Sequence, residues 1–259
     1  RALILALPRE DDLALSIHQM GLIPDPTDIH VARRRIKAEL ATSLTPTLTA
    51  LFDEMHAPGP YSPDATAAGK RALRGAVLDL ISLIDDGTCA QALFATADNM
   101  TESLNALTSL LAAGHGQAEL EVFYDRWKED RLVLAKWYML KTLYAAPSLA
   151  THATAEATSR PAFDWRNPNR FRSVFGGLAG NQAGFHKPDG SGYRIYTDWL
   201  LKLDPLNPQT AARMATVFET WPRYDADRKS LITGELGRIA GAPGLGRDMA
   251  EIVARIRAA

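Results

Sequence analysis

A single cysteine, Cys89, stands among the 259 residues, so the chain forms no internal disulfide, a pattern that suits a reducing compartment. No apolar run approaches the roughly 18 residues that a membrane helix requires, and no membrane partner is expected. Charge of one sign is also missing. Twenty-nine Lys and Arg against 30 Asp and Glu leave a net charge of −1, which argues against a nucleic-acid binder that relies on a strong positive field. The opening residues RALILALPRED have neither the basic stretch nor the small-residue cleavage site of a secretory signal. The expected location is cytoplasmic. A start at Arg1, in mid-pattern, reads as a piece of something longer. The six histidines (18, 30, 56, 115, 152 and 186) include no two that are three or four apart, and His-Glu-x-x-His does not occur. No helix therefore presents a zinc pair, and no metal or other cofactor is expected on this chain. No segment alternates apolar and polar residues over five or six positions, so strands are not expected either.

What remains is helix after helix. Leu13, Ile17 and Met20 recur at helical spacing between Pro8 and Gly21, a first-turn residue and a stop. A longer apolar stripe runs through Ile29, Ile36, Leu40, Leu44, Leu48, Leu51 and Met55, with Pro46 inside it, which predicts a break near Leu44. The segment APGPYSP (57–63) is the clearest loop and the place for a sub-boundary within one helical domain spanning 1–259. Further helices are predicted from Asp64 to Ile84, from a Thr88 cap to Ala97, and from a Thr101 cap to Ala113. Others cover 117–130 and 132–145 and begin at Pro147, at the Asn167-Pro168 cap, and at Tyr193. The last three follow the Asn207-Pro208 cap, the Asp225 cap and Gly246.

Helices of ten to sixteen residues joined by short turns imply antiparallel neighbours. A dozen of them cannot share one four-helix core, whereas stacked helix pairs bury such faces well. The predicted fold is all-α, an irregular α-solenoid of antiparallel helix pairs resembling armadillo or HEAT arrays, with no fixed sequence period.

Several local features have bland readings. Cys89 lies in a short apolar helix and reads as a small buried hydrophobe. Arg33, Arg34, Arg35 and Lys37 wrap around one helix and read as a solvated surface. GGLAG (176–180) and GAPGLG (241–246) lack the strand and the Lys-Ser/Thr of a phosphate cradle, and read as packing and turn glycines. Phe123, Tyr124, Trp127, Trp137, Tyr138 and Tyr144 read as helix-to-helix packing, with a ligand cage as the lesser alternative.

One segment rises above this background. Asp164-Trp165-Arg166-Asn167-Pro168-Asn169-Arg170-Phe171-Arg172-Ser173 gathers three arginines and two asparagines around one helix start. Free backbone N–H groups and the positive helix end favour anions there, and arginine supplies a planar fork suited to carboxylate. Asn167, Asn169, Arg170 and Arg172 are the candidate substrate-binding residues. The structural alternative is that Asn167 caps the helix while the arginines tie neighbouring helices together.

The segment 167–193 resembles the C-terminal domain of bacterial aminopeptidase N. The shared pattern is Asn-Pro-Asn-Arg-x-Arg-Ser, a glycine-rich stretch, a Phe-His pair and Asp-Gly-Ser-Gly-Tyr. It is met here by Asn167 to Arg170, Arg172, Ser173, Phe185, His186 and Asp189 to Tyr193. Asp98–Thr101, Leu132–Tyr138, Asn207–Gln209 and Arg223–Ala226 follow the same order, so the resemblance covers nearly the whole chain. One departure stands out: Asn181-Gln182-Ala183-Gly184 replaces a second Asn-Pro found in many relatives.

The resemblance implies a zinc metallopeptidase that removes N-terminal residues from peptides. Its His-Glu-x-x-His zinc site and its Gly-Ala-Met-Glu-Asn amine anchor belong to a separate catalytic domain, and neither motif occurs here. The chain itself is then a non-catalytic helical cover over the active-site cavity. Its partners are the catalytic domain of the same polypeptide and the peptide substrate, and zinc is held by that other domain. The rival reading is an autonomous helical-repeat scaffold that binds a separate protein through its concave face.

Overall fold

The computed structural model describes residues 2–258; Arg1, on which the reading of the chain's start rests, lies outside them. The fold is all-α, and no strand occurs among the described residues. No described helix is long and apolar enough to cross a membrane. The chain divides into two compact units, one of Arg1–Arg9 with Val31–Trp127 and one of Glu10–His30 with Lys128–Ala259.

The first unit holds most of α2 (Pro26–Ser43), then α3 (Thr45–Glu54), α4 (Ala65–Ile81), α5 (Thr88–Thr96), α6 (Met100–Ala113) and α7 (Gln117–Trp127). The expected break falls where Pro46 demands it: α2 ends at Ser43 and α3 restarts at Thr45, with Leu44 between them outside helical geometry. Its core gathers Ala41, Leu48, Leu73, Val77, Leu80 and Ile81 from α2, α3 and α4. α4 packs on α3 and α6, and α5 on α6.

Two caps differ from expectation. Asn99, not Thr101, caps α6: its Oδ1 accepts the Glu102 amide at 3.0 Å and its Nδ2 donates to Glu102 Oε2 at 2.9 Å. Both bonds run through the Asn99 side chain, an Asn cap reinforced by the Glu102 carboxylate, and they decide the start. At α5, Gly87 in left-handed geometry precedes Thr88, and Asp85 accepts the amides of Gly87 and Cys89 at 2.9 Å each.

The basic run on α2 is solvated at Arg34 and Arg35, as expected, but it is also engaged with its surroundings. Arg33 Nε donates to the Pro8 carbonyl at 2.8 Å. Arg34 reaches the carbonyls of Ala112 and Ala113 at 2.9 and 2.8 Å, satisfying the last turn of α6 with a cation where the helix end is negative. Lys37 pairs with Asp79 at 2.5 Å. Cys89 is half-buried against the core. Burial, then the neighbouring Asp85, pushes its thiol up to about 11, so it stays protonated and inert.

The second unit holds α1 (Glu10–Gln19), α8 (Arg131–Leu143), α9 (Ala150–Ser159), α10 (Pro168–Gly180) and the short α11 (Gln182–Phe185). It continues with α12 (Ser191–Leu203), α13 (Pro208–Ala215), α14 (Ala226–Ala240) and α15 (Arg247–Arg257). The helix that follows the Asn207-Pro208 cap ends at Ala215 and gives way to a 3-10 segment, Thr216–Arg223, which carries Pro222 inside it. The loop 181–186 folds as α11, with Asn181 Oδ1 accepting the Gly184 amide at 3.0 Å. The aromatic residues read as one packing cluster go to both units: Phe123 is fully buried in the first, Trp137 and Tyr138 in the second.

The seam between α8 and α10 is the tightest in this unit. Thr142 Oγ1 donates to the Val174 carbonyl at 2.9 Å, and Asn181 Nδ2 to the Ala145 carbonyl at 2.8 Å. Gly177 faces this seam, so the two backbones approach where no side chain intervenes. α10 buries Phe171, Val174, Phe175 and Leu178 at helical spacing, each contributing about 1.5–3 kcal/mol by leaving water.

Candidate functional site

The Asn-Pro-Asn-Arg start of α10 is built by capping. Asn167 Oδ1 accepts the amides of Asn169 and Arg170 at 3.0 and 3.4 Å, and Pro168 occupies the first helical position. The side-chain oxygen of Asn167 is thereby engaged in the helix itself.

Arg170 and Arg172 lie two residues apart, about 200° around a helix of 3.6 residues per turn, and they part company accordingly. Arg170 is buried on the apolar face, its guanidinium carbon 4.9 Å from the ring centre of Tyr138. Arg172 is on the exposed face. Its Nε donates to the Pro168 carbonyl at 3.1 Å and its Nη2 to Asn169 Oδ1 at 2.7 Å. Asn169 is exposed beside it. Of the four candidates, Arg172 and Asn169 face solvent, while Asn167 and Arg170 build the helix that carries them.

Two further residues join this surface that sequence reasoning did not single out, Trp199 and Lys202. Trp165 has Arg166 over its ring at 4.7 Å and Lys202 at 4.8 Å, and Lys202 lies 4.2 Å from the ring centre of Trp199. Trp199 and Lys202 are three apart on α12, a spacing that places them on one face and is legible in the sequence. Among the described residues, Arg166, Arg172 and Lys202 enter no ion pair with a carboxylate. The start of α10 thus presents three cations outside any ion pair, with the Asp164 carboxylate beside them accepting the Arg166 amide at 3.1 Å.

The same unit holds a buried polar network drawn from three of the shared motifs. His186 is fully enclosed, with Nδ1 at 2.8 Å from the Tyr193 hydroxyl and Nε2 at 3.0 Å from the Tyr224 hydroxyl. A neutral imidazole has one N–H and one bare nitrogen, so one tyrosine donates and the other accepts. Burial, with the nearby Arg228 charge, pulls His186 down to about 3. Arg228 Nε donates to the His186 carbonyl at 2.8 Å, and its Nη1 meets Asp225 and Asp25 at 2.6 and 3.0 Å. Burial opposes ionisation of both aspartates, but backbone amides and Arg228 outweigh it and hold them below the usual carboxylate range. Asp189 accepts the Ser191 hydroxyl at 2.6 Å and its amide at 2.9 Å. Those bonds hold its carboxyl at about 2. Phe185-His186, Asp189–Tyr193 and Tyr224–Arg228 thus meet as one scaffold.

Residues 1–258 match the family model described as "Domain of unknown function (DUF3458_C) ARM repeats". The chain belongs to this ARM-repeat family. Aminopeptidase N of Caulobacter vibrioides is 36% identical over 261 residues, an overlap of 98% of this chain and 30% of that protein. Aminopeptidase N of Escherichia coli is 32% identical over 260 residues, covering 97% and 29% respectively. The crystal structure of Legionella pneumophila aminopeptidase A in complex with aspartic acid matches with a TM-score of 0.86 at 24% identity, over 99% of this chain and 31% of that one, a likeness of fold. This family member is homologous to the C-terminal region of aminopeptidase N. It spans about 30% of the length of the Caulobacter relative.

Proposed function

We propose that this chain is one helical domain, residues 1–259, of a larger cytoplasmic aminopeptidase, covering the active-site cavity and limiting access to peptides. The observation that carries the reading is Arg172 on the exposed face at the positive end of α10, free of any ion pair. A guanidinium so placed, with Asn169 beside it, suits the terminal carboxylate of a short peptide. Arg170 and Asn167 position that helix rather than touch the substrate. The exposed Ile36 and Leu40 of α2, with Leu44 just beyond its end, support a surface that the catalytic domain of the same polypeptide covers.

The zinc implied by this reading belongs to the other domain. The described residues contain no group of three His, Cys, Asp or Glu placed to hold a metal ion, so no step is routed through zinc here. The purified chain is expected to give no turnover of leucine para-nitroanilide, with or without added zinc. Turnover with stoichiometric bound zinc would overturn the division of labour.

In the full-length enzyme, Arg172→Ala is expected to raise KM for short free-acid peptides about tenfold, the scale of one charge-assisted hydrogen bond. The same peptides with amidated C-termini should change less than about twofold, because they present no carboxylate to lose. Equal effects on both series would remove the carboxylate role and leave Arg172 a structural residue.

A further inference from the structure

A pocket lies in the first unit, between α4, the start of α6 and the 57–63 loop. Its volume is 330 Å³, and its walls include Tyr61, Arg71, Ala72, Ala76, Thr101 and Asn105. Arg71 is the unusual member. It is 5% exposed, yet among the described residues no carboxylate lies within ion-pair distance of it. Its Nη2 donates to the Ser62 carbonyl at 2.7 Å, while its buried Nε–H has no partner. Asp64 feels its charge, but the Asp64 carboxylate is already engaged by the Ser62 hydroxyl and the amides of Thr66 and Ala67.

Removing a guanidinium from water without an anion is costly, because carbonyl and ring contacts replace only part of its hydration. Tyr61 lies over the guanidinium with its ring centre 4.5 Å away, and it is itself more than half exposed. The remaining walls divide by chemistry. Ala72 and Ala76 offer a small apolar shelf, and Thr101 and Asn105 a polar edge. Gly75 keeps that edge close, since a Cβ there would fall against the Asn105 amide.

We propose that this pocket binds a small aliphatic carboxylate. Its two oxygens take the Nη N–H groups of Arg71 that Ser62 leaves over, beside the enclosed Nε–H, and its hydrocarbon lies on Ala72 and Ala76. Planar two-oxygen geometry matches the arginine fork better than a tetrahedral anion does. The site is remote in sequence from Arg172 and stands whether or not that residue meets substrate.

The test is an NMR titration of the chain with butyrate, following the Arg71 Nε–H resonance and the Thr101 amide. Butyramide and inorganic phosphate serve as comparison probes. Butyrate is expected to shift both signals saturably, and butyramide to leave them in place. Arg71→Lys keeps the charge but loses the fork, and should weaken binding about tenfold. Ala72→Leu fills the shelf without touching the guanidinium and should abolish saturation, so it decides the matter even if the Arg71 variant does not fold. A non-saturable response to butyrate, an equal response to butyramide, tighter binding of phosphate, or unchanged affinity in Ala72→Leu would each overturn the proposal.

Discussion

Replacing His186 by phenylalanine is expected to lower the stability of the chain by about 3 kcal/mol and to flatten its pH dependence between about pH 6.5 and pH 4.5. The first effect comes from two buried tyrosine hydroxyls, Tyr193 and Tyr224, which lose their partner in one step. Each orphaned hydroxyl costs roughly 1–3 kcal/mol, and the larger phenyl ring adds to the cost at this enclosed site. The second follows from linkage. The folded-state histidine is pulled to about 3 from an ordinary 6.5. As pH falls below 6.5 the unfolded chain takes up a proton that the folded chain refuses. Stability from this group is therefore complete above pH 6.5 and is lost on acidification, at about 1.4 kcal/mol per pH unit.

The depressed aspartates, Asp25, Asp189 and Asp225, act in the same direction, but only as pH falls through the carboxylate range near 4. Glu156, held low chiefly by its hydrogen bond to Lys141, is common to both proteins, so the difference between wild type and variant from 6.5 to 4.5 isolates the histidine. Denaturant melts of the wild type and His186→Phe across that interval check the expectation. Parallel curves would sink it. Tyr193→Phe and Tyr224→Phe should each cost less than the histidine variant, and neither should add fully to it, because all three report on one network.

Adjacent glycines give the second large effect, with opposite signs. Gly177→Ala is expected to cost about 3 kcal/mol, because overpacking a helix seam forces backbones apart. A Cβ at 177 would overlap Thr142 Oγ1 and lie 2.7 Å from the Met139 carbonyl and 3.3 Å from the Leu143 nitrogen. Two of these are backbone atoms of α8 and cannot turn aside. The displacement also pulls the Val174 carbonyl from Thr142, breaking the bond that joins α8 to α10. Gly176 is exposed and a Cβ there meets nothing within 4 Å. Gly176→Ala should therefore gain about 0.5–1 kcal/mol, the helix-propensity difference. Thermal melts of the two variants decide the point, and a loss of stability in both would show that the seam is not what distinguishes them.

The same two glycines show what the sequence reading reached. GGLAG announces itself as a packing or turn motif, but nothing in the string separates Gly176 from Gly177. That difference is the rotational phase of α10 against α8. The arginines behave alike. Asn167-Pro168 marks the helix start through capping chemistry, which is local and legible. Whether Arg170 or Arg172 meets solvent depends on which face carries Phe171 and Phe175 into the core. Arg34 is the converse case: a surface-like charge by pattern that satisfies the end of α6, 78 residues away in the chain.

The sequence by itself determined that the chain is helical, where most helices begin and end, and which ordered motifs place it beside aminopeptidase N. Caps, prolines and apolar periodicity act within a few residues, so they are written in the string. Only the tertiary structure decided that His186, Tyr193 and Tyr224 form one buried network, that Arg172 rather than Arg170 is presented to solvent, and that Arg71 is enclosed without a carboxylate. Each of these is a matter of which side chains meet across separate helices, and that is fixed by packing rather than by any local preference.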